Sequence, residues 1–123
     1  GPSYAQDFLA RGLRFGFVAG TDSHATMASG GGVEPGHIDR FPGLTAVFAR
    51  DLSRQAVFEA MRSRHCYAAS LERILLHGTV AGCRFGEAST LDRLPERPRI
   101  EMDVAARSDL RRIDVVRNGE TIH

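Results

Sequence analysis

The sequence predicts an α/β fold over residues 1–70, followed by a smaller antiparallel β-rich part over residues 71–123. Two observations predict this division. Signals for helices and strands alternate in the first part, whereas the second part shows strand-like apolar runs and a hairpin signal. At 123 residues the chain is one domain or less. Both of its ends look like cuts, so we expect it to be a fragment of a longer protein.

The first part has a clear order of predicted elements. They are a helix over 4–12, a buried strand over 13–19, a long loop over 25–42, a strand over 44–49, a helix over 52–64 and an extended piece over 66–69. The helix over 52–64 is the clearest of these, because an apolar stripe recurs at helical spacing and Asp51 or Ser53 can cap its start.

The second part is predicted from strand patterns and one turn. Apolar residues mark strands over 73–79, 99–105 and 112–117. The pair Asn118-Gly119 follows the last of them, and Asn-Gly next to an apolar run is the strongest short-range signal for a type I′ hairpin turn. We therefore expect a returning strand after Gly119, of which the chain holds only the beginning.

Composition excludes several classes of protein. Sixteen basic against fifteen acidic residues give a net charge of +1, which does not favour nucleic acid or an acidic membrane as a partner. No apolar run approaches the ~20 residues that span a bilayer. Cys66 and Cys83 lack any C-x-x-C spacing, so we expect free thiols. The sequence leaves the oligomeric state open, and it leaves localisation open between cytoplasm and periplasm.

The segment Thr21-Asp22-Ser23-His24 follows the predicted strand over 13–19 and is the candidate metal site. In an extended segment residues i and i+2 project to the same side, so Asp22 and His24 could reach one ion or two neighbouring ions. Carboxylate and imidazole are ordinary ligands for Zn, Mn and Fe. The alternative is a solvated turn in which Asp22 caps a backbone N–H, because this spacing alone is a weak signal.

Four stretches carry a resemblance to a known superfamily. They are residues 12–24, ending in Thr-Asp-Ser-His, the strand Pro42-Gly43-Leu44-Thr45-Ala46-Val47-Phe48-Ala49, the helix over 52–64 and the piece Cys66-Tyr67-Ala68-Ala69. In this order they resemble the polymerase and histidinol phosphatase (PHP) superfamily. The closer resemblance is to a PHP-like group of metallohydrolases that includes carbaryl hydrolases. It covers residues 4–86 well and the tail loosely.

The resemblance implies both a fold and a chemistry. Residues 1–70 would be the C-terminal part of a distorted β/α barrel, and residues 71–123 a truncated β-rich appendage. Asp22 and His24 would be the last ligands of a site holding two or three Zn, Mn or Fe ions. Such ions activate water for attack on a phosphoester, or on a related ester or carbamate, of a small-molecule substrate. The other ligands would lie upstream, so we expect this fragment alone to be inactive.

A second function remains open from the residues themselves. In it the chain is a non-catalytic, β-rich binding or interaction module, and Asp22 and His24 are incidental. His65 and Cys66 invite a nucleophile–base interpretation, but adjacent residues of a strand point to opposite sides. We interpret His77 as a half-exposed strand residue.

Overall fold

The structure, a computed structural model, describes residues 4–20, 43–70, 73–88 and 97–123. The chain divides into two compact units, which we call the terminal unit (Gly1–Phe15 with Ser108–His123) and the central unit (Gly16–Arg107). The described elements are α1 (Tyr4–Ala10), β1 (Gly43–Val47), α2 (Arg54–Arg62), β2 (Cys66–Ser70), β3 (Leu75–Val80), β4 (Cys83–Arg84), β5 (Ile100–Ala105), β6 (Val116–Arg117) and β7 (Glu120–Thr121).

In the terminal unit, the structure confirms the predicted helix near the start of the chain and the predicted hairpin turn at Asn118-Gly119. Helix α1 ends where Gly12 adopts φ +81°, and the amides of Gly12 and Leu13 donate to the carbonyls of Leu9 and Phe8. This pair of backbone hydrogen bonds is the Schellman motif, which favours glycine in its left-handed position. Strands β6 and β7 form an antiparallel hairpin around Asn118 and Gly119, which both have positive φ as a type I′ turn requires.

In the central unit, β1 and β2 pair antiparallel although helix α2 connects them. The register runs from Gly43 opposite Ser70 to Val47 opposite Cys66, and the Phe48 amide continues it by donating to the His65 carbonyl at 2.9 Å. The predicted strand, helix and extended piece of this region are therefore confirmed, each with bounds shifted by a few residues.

Helix α2 is capped at both ends. The Ser53 hydroxyl accepts from the Ala56 amide at 3.2 Å, as one of the two predicted caps. At the other end Arg64 has φ 61°, and the amides of Arg64 and His65 donate to the carbonyls of Met61 and Ala60. This is again a Schellman motif, with arginine where glycine is usual. It turns the chain directly back beside β1.

The other sheet of the central unit has three strands in the order β4-β3-β5, all antiparallel. Six residue pairs join β3 to β5, from Leu75 opposite Ala105 to Val80 opposite Ile100. Antiparallel pairing was expected after residue 70 and is present in this sheet. The predicted domain boundary at residue 70 itself stays a prediction.

The expectation of a distorted β/α barrel is wrong. The described strands form antiparallel sheets of two, three and two strands, and no barrel is present in these parts of the chain. A β/α barrel needs parallel strands joined by helical crossovers. The strands on either side of α2 instead pair antiparallel.

The buried strand predicted over residues 13–19 is also wrong. These residues have no regular secondary structure, and Phe17 and Val18 are 48% and 59% exposed. The apolar pattern is real, but hydrophobic side chains alone do not form a strand without a continuous backbone ladder. Among the described residues, no helix is long and apolar enough to cross a membrane.

Candidate functional site

The predicted metal ligands Asp22 and His24 lie outside the described residues, as does the whole stretch 21–42. Within the part of the chain that the structure describes, no group of three or more His, Cys, Asp and Glu side chains is placed to hold a metal ion. The structure nevertheless describes the residues that lead into Asp22, and their contacts define where the candidate site begins.

The backbone of Ala19 and Gly20 is fixed to strand β1. The Thr45 hydroxyl donates to the Ala19 carbonyl at 2.8 Å and accepts from the Ala19 amide at 2.9 Å. The Gly43 amide donates to the Gly20 carbonyl at 3.1 Å. One threonine side chain therefore completes both backbone hydrogen bonds of a residue three positions before Asp22.

Close packing explains the glycine at the start of β1. A Cβ added to Gly43 would lie 2.5 Å from the Gly20 carbonyl oxygen and 2.8 Å from the Ala19 Cβ. Real Cβ atoms do not make such contacts, so a side chain at residue 43 would push this lead-in segment off β1. Gly43 and Thr45 act together, one giving close approach and the other giving hydrogen bonds.

The two cysteines are free, as the sequence predicts. Cys66 is buried, and its thiol donates to the Phe17 carbonyl at 3.6 Å. The neighbouring His65 instead faces Glu87, with 4.0 Å between His65 Nε2 and Glu87 Oε1. These separate surroundings agree with the prediction that His65 and Cys66 do not form a nucleophile–base pair.

A cluster of rings lies between the β1–β2 sheet and the three-stranded sheet. Phe48 is at its centre, with ring centroids 5.6 Å from Tyr67 and 6.0 Å from both His77 and Phe85. The Tyr67 hydroxyl donates to the Ile74 carbonyl at 2.7 Å and accepts from the Leu76 amide at 3.1 Å. Tyr67 thus joins β2 to the start of β3.

Two adjoining cavities open beside this cluster and share Phe48 and His77 in their walls. The smaller, of about 90 Å³, is lined by Phe48, His65, His77, Gly78, Arg84 and Phe85. The larger is an open cleft of about 620 Å³. It is lined by Phe48, Tyr67, Leu75, Leu76, His77, Met102, Asp103, Val104 and Ala105. We call the smaller one the histidine–arginine pocket.

Sequence reasoning missed the histidine–arginine pocket. Its three basic residues are far apart in the sequence, and no motif joins them. The signal that unites His77 with Arg84 is the strand register, which a single sequence does not display. By contrast Arg64 has a structural role, because its Nε donates to the Gly86 carbonyl at 3.0 Å.

Comparisons with known proteins identify relatives of the chain. A family model described as a protein of unknown function, DUF3604, matches residues 36–110. The chain is 34% identical over 118 residues to an uncharacterised protein of Chlamydia pneumoniae and 35% identical over 118 residues to one of Chlamydia muridarum. These matches cover 94% of this chain and 19% of each relative, so the chain spans about a fifth of their length. No solved structure matches it.

Proposed function

The chain belongs to the DUF3604 family, and we propose that it is part of a metal-dependent hydrolase of the PHP type. The proposed reaction is attack by a metal-activated water on a phosphoester, or on a related ester or carbamate, of a small molecule. Asp22 and His24 contribute one carboxylate and one imidazole to the metal site. Because zinc enzymes normally take three protein ligands at a catalytic ion, the remaining ligands come from other parts of the whole protein.

The observation that supports this proposal best is the double hydrogen bond between Thr45 and Ala19. Two of the four stretches that resemble PHP-like metallohydrolases, the lead-in to Asp22 and the strand over 43–47, are in direct contact there. A metal site needs ligands held in a fixed geometry, and outer contacts that orient the ligand segment contribute to its affinity. Anchoring three residues before the first proposed ligand is the kind of support that such a site requires.

The donor set fits the proposed ions. A carboxylate oxygen with an imidazole nitrogen suits Zn, Mn and Fe. When bound, two or three such ions would supply activated water and would stabilise charge on the departing oxygen. The contribution of this chain is to hold Asp22 and His24 at the end of an anchored segment.

The test uses Mn²⁺ as a paramagnetic probe of the 123-residue chain. In ¹H–¹⁵N spectra we expect low Mn²⁺ concentrations to broaden selectively the amides of Ala19, Gly20 and Thr45. The double variant Asp22→Asn, His24→Gln should abolish this broadening. A matched control is Asp103→Asn, His77→Gln, which removes another aspartate and histidine that face each other across β3 and β5.

Two results would refute the ligand assignment. One is broadening near Gly20 that persists unchanged in the Asp22→Asn, His24→Gln variant. The other is equal loss in the control variant, which would indicate diffuse attraction of the cation to carboxylates. Loss in the first variant with retention in the second supports the proposal and excludes the module in which Asp22 and His24 are incidental.

A further inference from the structure

We propose that the histidine–arginine pocket binds a small oxyanion, such as a phosphate or carboxylate group, carried by an apolar molecule. The described residues that line the pocket belong to the central unit, and the basic ones among them are His65, His77 and Arg84. The proposal does not rest on the proposed metal site.

Strand register places two of the basic groups on one face. Thr79 of β3 lies opposite Arg84 of β4, and residues directly opposite in an antiparallel pair project to the same side. His77 is two residues before Thr79, so it shares that side and is diagonal to Arg84. Diagonal side chains begin about 7–8 Å apart, a gap that a long arginine side chain spans easily.

The third basic group comes from the other sheet. His65 precedes β2, and its carbonyl accepts from the Phe48 amide at 2.9 Å, which fixes its backbone beside the central ring of the cluster. Its imidazole is partly exposed and lies on the same small cavity as His77. His65, His77 and Arg84 thus line one cavity from separate parts of the chain, and their side chains carry several N–H donors for oxygen atoms.

The charge at Arg84 is free for a ligand. Among the described residues its guanidinium has no hydrogen-bond or ion-pair partner. The neighbouring Glu87 is held by other groups: one oxygen accepts from the Arg84 backbone amide at 2.8 Å, and the other is 4.0 Å from His65 Nε2. Glu87 therefore bonds the backbone of Arg84, while the arginine fork remains available for the bidentate recognition that oxyanions favour.

The cavity walls define the rest of the ligand. Phe48 and Phe85 line the same cavity as the basic residues, and apolar rings beside an anion strengthen the hydrogen bonds made to it. A volume of about 90 Å³ suits one oxyanion and little more. The adjoining cleft is mainly apolar, with Tyr67, Met102 and Val104 in its walls, and Asp103 also lines it. A ligand with an anionic head and an apolar or aromatic body fits both cavities together.

The binding experiment titrates the metal-free chain in EDTA with inorganic phosphate, phenyl phosphate and benzoate. The ring resonances of His65 and His77 report on the pocket. We expect saturable, one-site shifts at both rings, with phenyl phosphate binding about tenfold more tightly than inorganic phosphate because its ring enters the cleft. The comparison of phenyl phosphate with benzoate decides whether a phosphoryl or a carboxylate head is preferred.

Variants make the assignment specific. Arg84→Gln should weaken binding at least tenfold, because it removes a charge-assisted contact. The matched control is Arg99→Gln, which removes an exposed arginine that pairs with Glu101 outside the pocket. The Asp22→Asn, His24→Gln variant should bind phenyl phosphate normally, which separates this proposal from the metal site. A preserved ¹H–¹⁵N spectrum of each variant verifies folding.

Three outcomes would contradict the proposal that this pocket binds an oxyanion. Shifts that rise linearly without saturation would mean no site, and equal weakening by Arg84→Gln and Arg99→Gln would mean general attraction to surface charge. A saturable site whose shifts miss both His65 and His77 would place the anion elsewhere on the chain.

Discussion

The two sheets of the central unit reach order by different means. In the region β1–α2–β2, Ala56, Ala60 and Cys66 are 3%, 6% and 7% exposed, and both helix ends are capped. In the β4–β3–β5 sheet the backbone ladder is longer, yet Leu75 is 68% exposed and Val80 is 47% exposed. Its one buried residue, among those the structure describes, is Gly78.

This difference shows that strand pairing and side-chain burial are separate sources of order. The β1–α2–β2 region uses small buried residues, caps and a side-chain anchor, so individual atoms there have well-defined partners. The three-stranded sheet relies on backbone hydrogen bonds, whose net contribution per bond is only about 1 kcal/mol. Equivalent substitutions in the two regions should therefore have unequal effects on the free energy of unfolding.

The largest effect is expected at Gly86, where the two regions meet. It has φ +81°, and an added Cβ would collide with the carbonyl group of Arg64. Gly86→Ala should lower the free energy of unfolding by about 3 kcal/mol, from left-handed strain together with a backbone clash. Urea unfolding followed by circular dichroism measures this change.

Gly82→Ala is the matched control for Gly86→Ala. Gly82 has φ +82°, but nothing lies within 4 Å of its added Cβ, so only the backbone strain of about 1 kcal/mol should remain. Equal losses in the two variants would show that the contact between Gly86 and Arg64 contributes nothing, and that the two regions are not coupled there.

A smaller effect is expected at Thr45, compared with Thr79 in the other sheet. Thr45→Val keeps the shape but removes both hydrogen bonds to Ala19, so we expect a loss of about 2 kcal/mol. Thr79 makes an exposed contact of 3.5 Å with Glu101, and Thr79→Val should cost no more than about 0.5 kcal/mol. The shift of the urea unfolding midpoint measures the change in each variant.

Amide hydrogen exchange sharpens the Thr45 comparison. If the hydroxyl anchors the lead-in segment, the Ala19 amide should exchange faster in Thr45→Val and should be unchanged in Thr79→Val. A protected Ala19 amide in Thr45→Val would contradict the anchoring, and would remove the main structural support for the proposed metal site.

Local signals predicted local structure well. Three signals depend only on residues a few positions apart, and each is confirmed. They are the apolar stripe and cap of α2, the glycine that ends α1 and the Asn118-Gly119 turn. The strand over 13–19 failed because its signal was apolar composition alone. Forming a strand needs a neighbouring backbone, and the sequence of the segment carries no information about whether one is there.

Long-range arrangement was predicted poorly, for a physical reason. Strand β2 runs antiparallel to β1 and follows a left-handed turn at Arg64, where arginine stands in place of the usual glycine. The resemblance implied a distorted β/α barrel, whereas the described strands form small antiparallel sheets. The histidine–arginine pocket depends on strand register, which is also a long-range property. The metal-ligand roles of Asp22 and His24 stay a prediction.

The smallest effect is expected at the start of α2, and it tests whether capping contributes to the order of the β1–α2–β2 region. Ser53→Ala removes the acceptor of the Ala56 amide and should cost about 1 kcal/mol. Ser63, at the other end of the helix, acts through its backbone amide, so Ser63→Ala should change the unfolding free energy by less than about 0.5 kcal/mol. Urea midpoints again supply the measurement. If Ser53→Ala proved as mild as Ser63→Ala, the order of this region would come from Ala56, Ala60 and Cys66 rather than from its caps.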